Sequence, residues 1–204
     1  MINIEEKLYN KLSYLECVPS NFESDKKYPV ILHLHGAGSI GTDIKVLYNQ
    51  PIVKYAQSAD GFPFVMFLPQ CNVRYWEFRF EQLQEFIHYI KELPFVDTDK
   101  IFISGISMGA IASWNIFAAE NTTFKKAIIC CGAGFVFRAK AVNASVWAFH
   151  GDADTSVPYP EGKKMIDEMQ RLGKDARLTT FDGVGHNVWD TVYNDPDVYD
   201  WLLS

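Results

Sequence analysis

Residues 103–114 read ISGISMGAIASW. A β-branched run enters Gly105, Ser107 and Gly109 and continues directly into small helix-forming residues. One glycine makes a turn. Two glycines flanking a serine at G-x-S-x-G spacing predict a sharp strand-to-helix turn that lifts the serine hydroxyl clear of the sheet. The strand ends near Ser104 and the helix covers 108–119, apolar all round as a helix buried against a sheet should be.

The same alternation extends outward from this turn. YPVILHLHG predicts a buried strand over 28–34, and FPFVMFLPQ another over 63–68. KKAIICCG, SVWAFHG and ARLTTFDG supply three more, each ending at glycine. Near-continuous apolar strands belong to parallel sheets covered on both faces. Between them, Phe80, Leu83, Ile87 and Ile90 space a helix over 79–93, and Met165, Ile166, Met169 and Leu172 another over 160–172, closed by Gly173. Alternating strands and helices predict an α/β fold with a doubly wound, mostly parallel central sheet and helices on both faces. Residues 8–18 are expected to form an antiparallel edge strand within a lead-in of residues 1–27.

The 204 residues suit a single domain, 1–204, and the 48% apolar content is ample for its core. A net charge of −6 argues against a nucleic-acid surface and leaves no polybasic patch for a membrane. No apolar run reaches the roughly 18 residues of a spanning helix, and the charged start MINIEEKLYNKLSYLE lacks the apolar core of a signal peptide. Cys17, Cys71, Cys130 and Cys131 form no C-x-x-C pair. They read as reduced thiols of a cytoplasmic protein, with no metal ligand set among them.

A serine hydroxyl needs a base, and the base needs an orienting acid. Of five histidines, His186 lies in DGVGHNVWD, after the last strand. That loop falls at the carboxyl edge of the sheet, where open α/β sheets carry their sites. His88 sits in an amphipathic helix and His33 within a strand, while His35 and His150 each precede a glycine at a strand end. For the acid, FHGDADTSVP offers Asp152 and Asp154, and spacing does not separate them. HGAG, residues 35–38, ends the first buried strand and suits an oxyanion loop. Its donors would be the Met108 N–H, directly after the serine, and the N–H of Ala37, with Gly38 as the alternative.

With LHLHGAG, DTDKIFISGISMGAIASW, WAFHGDADTSVP and GVGHNVWD in this order, the chain resembles the α/β-hydrolase superfamily from about Tyr28 to Leu203. It is most similar to small esterases of the dienelactone hydrolase, feruloyl esterase and carboxylesterase/phospholipase type, and to the catalytic domain of prolyl oligopeptidase relatives. The resemblance implies Ser107 as nucleophile, His186 as base, Ala37 and Met108 as oxyanion donors, and a mechanism without metal or cofactor. The H-G-x-x-D-x-x-V-P pattern falls on His150, Gly151, Asp154, Val157 and Pro158, which assigns the acid to Asp154. Dienelactone hydrolase itself carries a cysteine where this chain has Ser107.

The expected activity is hydrolysis of small carboxylic esters through an acyl-serine. A short-peptide peptidase and a non-catalytic ligand-binding protein on the same scaffold are the alternatives. The partner would be a small-molecule ester, with no nucleic acid and no membrane. Trp76, Phe135 and Trp189 stand close enough to the motifs in sequence to be candidate substrate-pocket residues. The 13 residues 132–144 between two strands are too short for a helical cap of several turns.

Overall fold

Side chains along a strand alternate between the two faces of its sheet. In this chain both sets are apolar, so a sheet with a core on each side is the arrangement that buries them. The computed structural model describes all 204 residues, Met1–Ser204. In chain order the elements are β1 (Ile2–Tyr9), β2 (Leu12–Pro19), β3 (Tyr28–Leu34), α1 (Pro51–Ser58), β4 (Val65–Pro69), α2 (Phe80–Glu92) and β5 (Val96–Ile106). Then follow α3 (Met108–Ala119), β6 (Lys126–Cys130), β7 (Ser145–Gly151), α4 (Tyr159–Arg171), β8 (Ala176–Phe181), α5 (Trp189–Tyr193) and α6 (Pro196–Leu203).

The eight strands form one sheet in the order β1-β2-β4-β3-β5-β6-β7-β8. β1, β2 and β4 pair antiparallel, and every pairing from β4 onward is parallel. This is the α/β-hydrolase fold, doubly wound as expected. Val30, Leu32 and Leu34 of β3 face one core with Ile101 and Ile103 of β5, while Ile31 and Phe102 face the other. The first core packs α2, α3 and α4, and the second packs α1, α5 and α6. Each fully buried Leu, Ile or Phe contributes roughly 1.5–3 kcal/mol relative to exposure, so neither layer is dispensable.

One expectation fails. Residues 8–18 are not a single edge strand. They straddle a hairpin whose strands β1 and β2 pair from Ile2↔Pro19 to Tyr9↔Leu12. Asn10 and Lys11 make the turn with φ of 43° and 68°. Two left-handed residues form the tight turn that matches strand twist. The connection between β6 and β7 holds only a six-residue 3-10 segment, Val136–Ala141, and no cap domain.

Candidate active site

Ser107 sits between β5 and α3 with φ 52° and ψ −115°. Such a backbone costs of order 1–3 kcal/mol and persists only where its surroundings enforce it. Here the Ser107 N–H donates to the Cys130 carbonyl at 2.8 Å, and the Ser107 carbonyl accepts from the Ile111 N–H at 2.9 Å. The two flanking glycines are demanded by close approach. A Cβ at Gly109 would stand 1.9 Å from the Leu34 carbonyl oxygen, and one at Gly105 would stand 2.7 Å from that of Gly109. The start of α3 is thereby pressed against the ends of β3 and β5.

His186 Nε2 lies 2.8 Å from Ser107 Oγ, and its Nδ1 lies 2.6 Å from Asp154 Oδ2. A carboxylate oxygen only accepts, so Nδ1 carries the proton and Nε2 presents a lone pair to the serine. Asp154 is buried, and its Oδ1 accepts from the Ser156 and Val157 N–H groups at 2.8 and 3.0 Å. Burial alone would raise its pKa. The hydrogen bonds from His186, Val157 and Ser156 together outweigh burial and hold the carboxyl below its ordinary value. Asp152 points elsewhere, accepting from the Gly183 N–H at 2.7 Å and so tying the β7 turn to the loop after β8.

Two further side chains meet this relay. His150 is buried, and its Nε2–H donates to the Val157 carbonyl at 2.8 Å with Asp154 Oδ2 at 3.2 Å. The Cys131 S–H donates to the His186 carbonyl at 3.0 Å. The donor atoms of Cys131, His150 and Asp154 all lie within 4.8 Å of one another. They suit a hydrogen-bond network better than a cation. Burial pushes the Cys131 thiol up to about 12, and each group already has a hydrogen-bond partner. Sequence reading left His150 unassigned; the only signal was its place in the H-G-x-x-D run.

The loop carrying Ala37 is braced from the core. The His35 Nδ1–H donates to the Gly36 carbonyl at 2.7 Å, and its Nε2 accepts from the Cys71 N–H at 2.9 Å. Burial lowers the His35 pKa to about 4, so the ring stays neutral and keeps both bonds. The Trp76 indole N–H donates to the His35 carbonyl at 3.1 Å. Gln70 Nε2 donates to the carbonyls of Ser39 and Asp43, and Gln50 Nε2 donates to Ser39 Oγ. The loop therefore arrives with Ala37 fixed beside Ser107, both on the wall of one cavity. Ala37 and Met108 each begin a helical turn, where backbone N–H groups have no intrahelical acceptor.

The model of the dienelactone hydrolase family matches residues 76–197 of the chain. The chain belongs to the dienelactone hydrolase family. Among curated proteins it is 25% identical to "Probable dipeptidyl-peptidase 5" of Aspergillus terreus, over 82% of this chain and 30% of that protein. A thermostable esterase of known structure superposes with a TM-score of 0.89 at 24% identity, over 99% of this chain and 62% of that one. The feruloyl esterase module from Clostridium thermocellum, solved with sinapinate, superposes with a TM-score of 0.76 at 12% identity, over 95% of this chain and 86% of the module. These superpositions establish the shared fold. The chain thus spans under a third of the peptidase and under two thirds of the thermostable esterase.

This family member divides the three candidate pocket aromatics among three roles. Trp189 lines the cavity at Ser107, and its ring meets that of His186 edge-on, 5.2 Å between centroids. Trp76 does not line it. Its ring is buried in the core, 1% exposed, because the indole N–H is spent on the His35 carbonyl. Phe135 is exposed and lines a neighbouring cleft with Ile111, so it does not touch the cavity of Ser107 and His186.

Proposed function

We propose that the protein is a serine hydrolase of small carboxylic esters, working without metal or cofactor. The observation that carries this reading is the unbroken relay Ser107 Oγ–His186–Asp154 at 2.8 and 2.6 Å, set on a strained elbow. Ser107 Oγ adds to the ester carbonyl carbon while its proton moves to His186 Nε2. Negative charge collects on the carbonyl oxygen, where the N–H groups of Ala37 and Met108 receive it. The carbon–oxygen bond to the alcohol breaks, and His186 returns the proton to the departing oxygen. Water then gives a proton to His186 and adds to the acyl carbon. Ser107 leaves with that proton, and the carboxylic acid is released. Asp154 keeps Nδ1 protonated and steadies the imidazolium.

The test is covalent labelling together with turnover. A fluorophosphonate should add one mass increment to the protein and none to Ser107→Ala. Loss of Ser107 should lower turnover of p-nitrophenyl acetate by about a million-fold, to background. Wild-type turnover in Ser107→Ala would end this reading. A peptidase is the second reading, favoured by the name of the Aspergillus terreus relative. Aminoacyl p-nitroanilides cleaved faster than matched p-nitrophenyl esters would select it.

A further inference from the structure

Two polar side chains stand where the core has room for apolar ones. His33 of β3 and Ser104 of β5 are directly opposite one another on adjacent strands. By alternation they share the sheet face of Ile31 and Phe102, the face that α1, α5 and α6 cover. Both are fully buried. Polar groups are costly in such a layer unless each finds a partner, and here each does. Tyr193, the last residue of α5 and itself buried, donates its O–H to Ser104 Oγ. The Ser104 O–H donates to His33 Nδ1 at 3.1 Å, and the His33 Nε2–H donates to Gln50 Oε1 at 3.2 Å. Gln50 Nε2 then donates to Ser39 Oγ at 2.8 Å. The bonds all run one way, and each polarises the next. Burial lowers the His33 pKa to about 3, so the ring stays neutral and keeps one donor and one acceptor.

The two ends of this line fall on opposite sides of the nucleophile. Ser39 closes the 3-10 turn Ala37–Ser39, whose first N–H faces the oxyanion in the mechanism above. Tyr193 closes α5, whose first residue, Trp189, meets the His186 ring edge-on. Ser39 and Gln50 line the cavity at Ser107, whereas His33, Ser104 and Tyr193 do not, so these three reach a substrate only through other groups. We propose, resting on the esterase reading above, that His33 is a positioning residue whose hydrogen-bond line through the core fixes the oxyanion loop relative to the segment that carries His186. The Ala37 N–H must meet the carbonyl oxygen, and His186 Nε2 the leaving oxygen, of one tetrahedral carbon. A slip of either side against the other is therefore felt in the transition state and not in ground-state binding.

The test cuts the line at two points that touch no substrate. His33→Phe keeps a ring and removes both of its bonds; Tyr193→Phe removes one hydroxyl at the far end. Tyr199→Phe is the control, since it removes another buried hydroxyl of the same core, one that donates to the Tyr193 carbonyl at 2.8 Å and lies outside the line. Turnover of p-nitrophenyl acetate is expressed per site titrated to completion by a fluorophosphonate, which removes any effect of misfolded protein. A 1 Å misplacement at a reacting centre costs about a hundredfold. The partial slip expected here should lower kcat about tenfold in His33→Phe and about threefold in Tyr193→Phe, with KM within about twofold of wild type. The inhibition constant of a trifluoromethyl ketone, whose adduct with Ser107 carries the oxyanion, should weaken by the same factors as kcat/KM falls. Tyr199→Phe should stay within about twofold on both measures. If His33→Phe does not fold, Tyr193→Phe decides. Unchanged kcat and inhibition per titrated site, a raised KM with kcat intact, or an equal loss in Tyr199→Phe overturns the positioning role while the esterase reading stands. No ester turnover and no fluorophosphonate adduct in the wild-type protein overturns both.

Discussion

At the scale of single residues, the two neighbouring carboxylates do different work despite identical chemistry. Asp154 Oδ2 holds His186 and is buried, whereas exposed Asp152 bonds a backbone N–H across two loops. Asp154→Asn keeps the shape but replaces an acceptor-only group, so the imidazole loses its set tautomer. That change cost about ten-thousand-fold in a well-studied protease triad. Ester turnover by Asp154→Asn is expected to fall on that order, while Asp152→Asn stays within a few-fold of wild type. The reverse ranking would move the acid to Asp152. Their spacing in sequence left the pair open, because both follow the same strand within one loop. Only the family motif pointed to Asp154, whose Oδ2 lies 2.6 Å from His186 Nδ1. The burial of Trp76 was illegible for a related reason: nothing in the sequence announces that an indole N–H will find the carbonyl of a residue 41 positions earlier.

Elements decide how open the site is. A lid in this architecture would have to grow from the β6–β7 connection, which carries one short 3-10 segment. The β4–α2 connection carries only a four-residue 3-10 segment, Trp76–Arg79. Neither connection holds a helix long enough to cover the cavity at Ser107. The rate on a p-nitrophenyl ester should therefore rise smoothly with concentration through the solubility limit, without a jump. Among straight-chain acyl groups the optimum should fall at about two to four carbons, since each further methylene is worth at most about 0.8 kcal/mol in an open cleft. A preference for chains above about ten carbons would require a covered channel. The elements themselves were largely legible. α3 begins and ends where its apolar pattern does and β3 fills the expected 28–34, while β5 starts at Val96, ahead of the apolar run that begins at Ile101. The β1–β2 hairpin was not, because Asn10-Lys11 lacks the glycine that usually marks such a turn.

Across the whole molecule, two neutral buried histidines make the fold sensitive to acid. His33 lies between Ser104 Oγ and Gln50 Oε1 at 3.1 and 3.2 Å. Burial lowers its pKa to about 3 and that of His35 to about 4. Both titrate near 6.5 once the chain unfolds. Between those values the unfolded chain binds more protons than the folded one. Stability is therefore full above about pH 6.5 and declines as pH falls, by about 1.4 kcal/mol per unit for each histidine. Urea unfolding at a series of pH values should show that slope between pH 6.5 and 4. A stability unchanged between pH 7 and 5 would mean the rings are charged in the folded state. The contributors to the site hang from the ends of β3, β5, β7 and β8, and the order in which they appear along the chain has a consequence for biosynthesis. A ribosome delivers the Ala37 loop first, then Ser107, then Asp154, and His186 last, 79 residues behind the serine it must reach. Until β8 docks, the growing polypeptide carries Ser107 without His186 beside it, so under the proposed function the nascent chain should be silent toward esters.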